Sequence, residues 1–215
     1  MDHIVNNWQP LLSGAIYTLG TAAVGVVVSL VLGTVLGVVY ALRVPGVRQV
    51  LVVYTELIRN TPELVQLFWI YLVLPSVGIQ LNVLEAVLVY LCVNGVAYTL
   101  IVIEGGIDSV PVGQFEAARA VRLSTGRMYS RIIVPQAIRP LVPALVNEII
   151  RVLKNTTLVM LISAPDLVYQ ASRLANLDFE PIAYQLFAAA FYFVVITALS
   201  VVAKRFTTTE RVVRV

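Results

Sequence analysis

The sequence predicts an all-α protein built into a lipid bilayer, and three observations carry that reading. Of its 215 residues, 59% are apolar and only 13% charged, with a mean hydropathy of +0.89; soluble domains average about 45–50% apolar and roughly 25% charged. Charge-free stretches long enough to cross a membrane recur along the chain. Lysines and arginines gather in alternate connecting segments. Too little polar side chain is present to clothe a water-facing surface of this size. That excludes a cytosolic enzyme, a disulfide scaffold and a disordered chain, and the length allows about one domain, a single transmembrane unit over 1–215.

A spanning helix needs about 20 mostly apolar residues. The uncharged runs 11–42, 64–84, 86–103 and 181–203 meet or approach that length. Between them, 136–162 is rich in Leu, Val and Ile yet carries Glu148, Arg151 and Lys154. The expected spans are therefore five, at about 11–42, 54–74, 84–103, 136–162 and 181–203. The N-terminus MDHIVNNWQP is acidic and polar, unlike the basic start of a cleaved signal, so the first helix is expected to remain, with Trp8 and Tyr17 as interface anchors.

Orientation follows from the rule that positive loops stay in the cytoplasm. With the N-terminus outside, three inner segments hold Arg43, Arg48 and Arg59; then Arg119, Arg122, Arg127, Arg131 and Arg139; then Lys204, Arg205, Arg211 and Arg214, while Arg173 alone faces out. The pI near 9.1 is then a topology signal and not a nucleic-acid footprint. One cysteine, Cys92, and one histidine, His3, leave no intrachain disulfide, no cysteine metal site and little for hydrolytic chemistry; the expected catalytic and metal residues are none.

Within the first span, Thr21, Gly25, Ser29, Gly33, Gly37 and Ala41 recur every four positions. Small residues at that spacing let another helix approach closely, either inside the same bundle or, less favoured, across a dimer seam. The loop at about 104–135, EGGIDSVPVGQFEAARAVRLSTGRMYSRIIVPQ from Glu104 to Gln136, is polar and Arg-rich. Its stretch from Gln114 to Arg122 reads as a short helix lying flat beneath the membrane, with Phe115, Ala118 and Val121 on one face awaiting a protein partner.

Glu148 and Arg151 lie three apart, on one helical face, whereas Lys154 points elsewhere. An ionisable group in a bilayer usually faces a cavity or a partner, so this pair either satisfies itself or lines a path for a zwitterionic solute. Gln66 and Asn94 line that path or bond between helices. Segment 165–180 reads as an outer amphipathic helix with Asp166 as its cap, serving as a gate, a docking surface or an element resting at the interface.

The loop resembles the EAA motif of ABC importer permeases: Glu116-Ala117-Ala118, followed by Ile133-Val134-Pro135. Arg59-Asn60-Thr61-Pro62 is similar to that family's Arg-Gly-Thr-Pro, Gly113-Gln114 precedes the motif, Ala97-Tyr98 closes the third span, and Lys154-Asn155-Thr156-Thr157-Leu158 resembles Lys-Asp-Thr-Ser-Leu. Their order along the whole chain is similar to the polar amino-acid branch, the histidine, glutamine and glutamate type. The resemblance implies a type I importer fold and a bacterial inner-membrane translocation subunit, not itself an enzyme, since no Walker sequence is present. ATP and magnesium would sit on a partner ATPase dimer, a soluble outer binding protein would deliver a polar amino acid or derivative, and a second permease copy, a homologue in preference to an identical chain, would complete the path. Gly113, Gln114, Glu116, Ala117, Ala118, Arg119 and Arg122 would couple to the ATPase; Arg59, Thr61, Pro62, Lys154, Asn155 and Thr156 would gate or brace; Glu148, Arg151, Gln66 and Asn94 would meet the solute. Two departures stand out. Arg122 replaces a customary glycine, which would extend the helix or reach the partner, and Ile101 with Glu104 removes a customary ion pair. A stand-alone carrier or channel for small polar solutes is the alternative, and a membrane enzyme a weaker one.

Overall fold

In the computed structural model, residues 2–208 are described, without the side chains of Asp2, His3, Arg139 and residues 203–208; Arg211 and Arg214 lie outside the described residues. The described chain is helical. A turn, α1 (Asp2–Asn6), leads into α2 (Trp8–Ala41), whose 34 residues at 1.5 Å each exceed a hydrocarbon core about 30 Å thick. Arg43 and Gly46, both at positive φ (55° and 82°), reverse the chain.

Next, α3 (Val47–Asn60) stops at Thr61, which is extended (φ −99°, ψ 131°) because the following Pro62 forbids the helical conformation before it. Helix resumes as α4 (Glu63–Phe68), loosens into a π turn at Trp69–Val73 and tightens into a 3-10 turn at Leu74–Val77. The stretch expected as one run over 54–74 thus begins earlier and is broken near its middle. A capping box starts α5 (Val83–Asp108): Glu85 N–H donates to Asn82 Oδ1 at 2.9 Å, and Asn82 N–H donates to Glu85 Oε2 at 2.8 Å. This helix runs past 103, since nothing breaks it before Pro111.

Beyond Pro111 come α6 (Val112–Ala120), α7 (Thr125–Met128), a π turn at Tyr129–Ile133 and α8 (Val134–Asn155), which holds Pro140 and Pro143 and ends in a 3-10 turn, Thr156–Ile162. Finally α9 (Leu167–Asp178) and α10 (Pro181–Thr208) pack together against the start of α2 through Leu11, Ala15, Leu167, Ala171, Leu174, Tyr184 and Ala188.

The small-residue ladder of α2 is buried along its whole length, and its partner is α5 of the same chain. A Cβ on Gly33 would stand 2.5 Å from Thr99 Cβ, and one on Gly37 2.7 Å from Ile103 Cβ; in return, a Cβ on Gly95 would meet Ser29 Oγ at 1.9 Å. The seam is therefore intramolecular and close enough to demand glycine from both sides.

Among the described residues, α2, α5 and α10 are each long and apolar enough to cross a membrane. The other two expected crossings fall short for physical reasons. One is broken at Thr61-Pro62, and the other carries Glu148, Arg151 and Lys154. Those two face each other across α5.

Candidate functional site: a polar cluster between the broken helix and α8

Pro62 creates the first part of the site. It has no N–H to donate to the carbonyl of Ile58, four residues back. Gln66 supplies the missing donor: its Nε2 reaches Ile58 O at 2.6 Å and Thr61 O at 2.7 Å. Its Oε1 accepts from Asn94 Nδ2 at 3.0 Å, which ties the break to α5. Both Gln66 hydrogens are spent on the chain itself, so this residue braces the break. Thr61 donates its hydroxyl to Leu57 O at 2.7 Å.

Arg151 is the hub. Its Nε donates to Glu148 Oε2 at 2.8 Å, and its Nη1 donates to Glu63 Oε1 at 3.2 Å and to Asn94 Oδ1. Its guanidinium carbon lies 3.8 Å from the centre of the Tyr98 ring, a cation–π arrangement. Asn155 Nδ2 donates to the same Asn94 oxygen at 3.3 Å. Three helical segments thus converge on one guanidinium. The accessible fractions of the side chains are 20% for Arg151, 31% for Glu63 and 15% for Glu148, so the charges are half-withdrawn from solvent yet reachable.

The expected Glu148–Arg151 pair is present, but it is not closed on itself. Glu63 forms the third member, and sequence reading passed over it. Its one signal is a lone carboxylate placed directly after Pro62, at the head of an apolar run. Tyr98, expected at the close of the third span, lies beneath Arg151. Arg59 is exposed, with its guanidinium carbon 5.8 Å from the same ring. Lys154 is also exposed and borders a separate groove with Thr157, Gln185 and Tyr192, away from the cluster. Thr156 is buried, donating to Leu153 O at 2.7 Å and sharing a 2.9 Å hydrogen bond with Tyr192 OH.

At one end of the bundle, α6 buries Ala118 and packs Phe115 edge-on to Tyr129 (6.2 Å between centroids), beside Ile103, Ile107, Met128 and Ile133. Phe115 and Ala118 are thus covered by the chain itself. Val121, expected on that side, is exposed because the helix has already ended. Arg122 does not extend it: at φ 52° it takes the left-handed position that terminates a helix, with Arg122 N–H on Arg119 O at 2.9 Å and Leu123 N–H on Ala118 O at 3.1 Å. Gly113, Glu116, Ala117, Arg119 and Arg122 face outward, and Gln114 Oε1 accepts from Gln136 Nε2 at 3.2 Å. The position of Ile101 and Glu104 holds no ion pair between them; instead Arg43 meets Asp108 at 3.5 Å nearby.

At the opposite end, Asp166 caps α9, accepting from Val168 N–H at 3.2 Å and Tyr169 N–H at 2.9 Å. Thr18 Oγ1 accepts from Leu167 N–H at 3.0 Å, and Gly14 lets this corner sit directly on α2: a Cβ there would stand 2.9 Å from Asp166 O. Burial pushes the Asp166 carboxyl up to about 6, against the opposing pull of the backbone N–H groups. Among the described residues no cluster has the composition of a metal site.

Residues 29–209 match the family described as binding-protein-dependent transport system inner membrane component. The chain is 33% identical over 209 residues, 95% of this chain and 93% of the other, to the probable glutamine ABC transporter permease protein GlnP of Bacillus subtilis (strain 168). It is 32% identical over 199 residues, 88% of this chain and 83% of the other, to the nopaline transport system permease protein NocM of Agrobacterium fabrum. Among solved structures it superposes on a chain of an amino acid ABC transporter with histidines, with a TM-score of 0.86 and 32% identity over 97% of this chain and 96% of that one. The inward-facing MetNI methionine ABC transporter gives a TM-score of 0.75 at 18% identity, covering 93% of this chain and 97% of that one, a likeness of fold.

Proposed function

The chain belongs to the family of binding-protein-dependent transport system inner membrane components, and from that premise we propose that it carries a polar amino acid, or an amino-acid derivative, through the Glu63–Asn94–Glu148–Arg151 cluster. It is the inner-membrane permease subunit of an ABC importer. The observation that supports the path is the hub itself: three charges and two amides held between a broken helix and α8, in the two crossings that are not fully apolar. A zwitterion presents a carboxylate and an ammonium, and this cluster offers partners for both.

The chain crosses the membrane five times, with the N-terminus outside, so that α6 faces the cytoplasm and α9 the outside. Membership of the family implies an ATPase and an outer binding protein as partners. In this reading α6 docks on the ATPase through Gly113, Gln114, Glu116, Ala117, Arg119 and Arg122, and Ala118 anchors the helix to the membrane unit. ATP and magnesium are handled by the ATPase, and this chain performs no hydrolysis. A second permease, a homologue in preference to an identical copy, closes the other side of the path; the exposed apolar flank of α10, with Leu186, Phe193 and Val194, meets lipid.

Affinity purification of the tagged chain from native membranes tests the assembly, followed by reconstitution into proteoliposomes. The expected outcome is an ATPase in the purified complex, and uptake that requires ATP and the binding protein. Uptake by this chain alone, with no ATPase recovered, would assign it to the carrier or channel class instead.

A further inference from the structure

Where α2 turns into α3, a groove of about 540 Å³ opens between Arg43, Pro45, Arg48, Gln49, Val52 and Val53. The guanidinium carbon of Arg48 lies 5.3 Å from the centre of the Tyr40 ring, and its Nε is buried with no hydrogen-bond partner. A buried donor left unpaired is destabilising, so an acceptor is missing beside it. Arg43 is largely exposed and meets Asp108 at 3.5 Å. Glu104, also on α5, stands in the field of both arginines. Neither carboxylate lines the groove, so the charge it presents is positive.

The charged groove leads to an apolar one. Val50, Val53 and Leu57 share one face of α3 and are 69%, 67% and 65% exposed. Leu57, one helical turn beyond Val53, is the near edge of a second groove of about 420 Å³, walled by Ile58, Trp69, Leu74 and Val93. Leu57 lies about 14 Å along the helix from Arg48, close to half of a hydrocarbon core about 30 Å thick. With the N-terminus outside, the first groove is level with the inner headgroups and the second with the middle of the bilayer.

We propose that the two grooves together seat one anionic phospholipid of the inner leaflet, its phosphate on Arg43 and Arg48 and one acyl chain laid along Val53 and Leu57 into the apolar groove beside Trp69. This goes beyond the transport path and rests only on the orientation of the chain. Charge and length select this occupant. A guanidinium presents the planar fork that suits phosphate oxygens. Asp108 and Glu104 offset part of the arginines' field, which weakens a free phosphate, whereas a lipid adds the burial of its chain. Thr61 and Gln66 also border the second groove, so the end of that chain rests on the residues that brace the break at Pro62.

The test is native mass spectrometry of the purified permease–ATPase complex, offered equal amounts of phosphatidylglycerol and phosphatidylcholine with the same chains. Phosphatidylglycerol is expected to be retained about 25-fold over phosphatidylcholine, since each arginine beside an anionic headgroup is worth about fivefold. Arg43→Gln and Arg48→Gln should each cut that ratio about fivefold, and Arg48→Lys, which keeps the charge, should preserve most of it. Trp69→Ala should weaken both lipids alike and leave the ratio unchanged, a split that general destabilisation would not produce. Equal retention of the two lipids by the unaltered complex, or a ratio that neither arginine substitution moves, overturns the proposal even where ATP-driven uptake is intact. Displacement of phosphatidylglycerol by inorganic phosphate as readily as by its dioctanoyl form would leave only a free-anion site and overturns the lipid. A photoreactive label on Val53→Cys, in a Cys92→Ala background, should react with lipid; a crosslink to a second permease would put protein in the groove and overturns it as well.

Discussion

Helix α5 has two faces with opposite characters. One meets α2 through Gly95, Thr99 and Ile103, fitted into Ser29, Gly33 and Gly37 with no room for a Cβ. The other meets α4 and α8 through Asn94 and Tyr98, where Pro62, the π turn at Trp69–Val73 and a guanidinium hub interrupt the close packing. The first seam is held by dispersion between backbones, which has one arrangement. The second is held by directional bonds around a broken helix, which have several, because hydrogen bonds can exchange partners where interlocked backbones cannot. A transporter needs both: a rigid frame and a seam that can rearrange.

Removing the hub should have the largest effect. Arg151→Ala leaves Glu63 and Glu148 facing each other without a counter-charge, and breaking such a buried pair costs about 3–5 kcal/mol. Thermal unfolding of the detergent-solubilised complex should fall accordingly. Combining it with Glu63→Gln and Glu148→Gln should recover most of the loss, because the stranded charges go too. A triple variant as unstable as Arg151→Ala would mean that the seam depends on packing after all, and the contrast between the two faces would collapse.

On the rigid face, Gly95→Val places side chain where Ser29 Oγ already lies, 1.9 Å from the position of a Cβ. Overpacking of this kind costs about 1–3 kcal/mol, and the upper end is expected because Ser29 Cβ at 2.8 Å and Val152 Cγ2 at 3.3 Å crowd the same position. Pairing the smaller change Gly95→Ala with Ser29→Gly should restore stability, whereas Gly95→Ala alone should not. Uptake per folded complex should stay near its original level in the paired variant, since this seam takes no part in the rearrangement. Lost uptake with stability restored would show that the frame moves as well.

The two faces also differ in how readily a sequence discloses them. The ladder on α2 is periodic, and a four-residue repeat of small side chains declares a close seam by itself; only its partner, α5, had to come from the fold. The hub is built from single residues far apart in the chain. Glu148 and Arg151 stand out as charges in an apolar setting, but Glu63 lies just ahead of the uncharged run 64–84 and draws no notice there. Tyr98 shows in the sequence only as the end of a span. Gln66 became legible only when Pro62's missing N–H was traced to the carbonyl it would have served. The end of α6 failed for a different reason. Helix propensity favours arginine over termination at position 122, and the left-handed turn that wins is stabilised by bonds to Arg119 and Ala118, which no local preference announces.

The corner where α9 rests on α2 is expected to depend on pH. Asp166 sits on Gly14 and Thr18 with its carboxyl pushed up to about 6, above the roughly 3.9 of an unfolded chain. Because the folded state holds the proton more tightly, this contribution to stability is fully present below about 4 and is lost as pH rises through about 6, by about 3 kcal/mol. Hydrogen exchange of α9 amides should therefore quicken between about pH 4 and 6 beyond the intrinsic chemical rate. Asp166→Asn keeps a capping oxygen and should remove that excess. A pH-independent α9 in the unaltered protein would mean the capping N–H groups outweigh burial.

The smallest effect belongs to a position remote from both seams. Arg122 holds φ 52°, a conformation that costs a residue with a Cβ about 1 kcal/mol and glycine nearly nothing. Arg122→Gly should thus raise thermal stability by about that amount and leave α6 ending at the same place, since Ala118 and Arg119 still receive their capping bonds. The exposed guanidinium would be gone. If ATPase recovery and ATP-driven uptake are unchanged, Arg122 is a turn residue that bears avoidable strain. If stability rises while ATPase recovery falls, the strain persists because the side chain touches the ATPase, and α6 then resembles the mobile face of α5, where geometry is set by what must be contacted and not by what packs best.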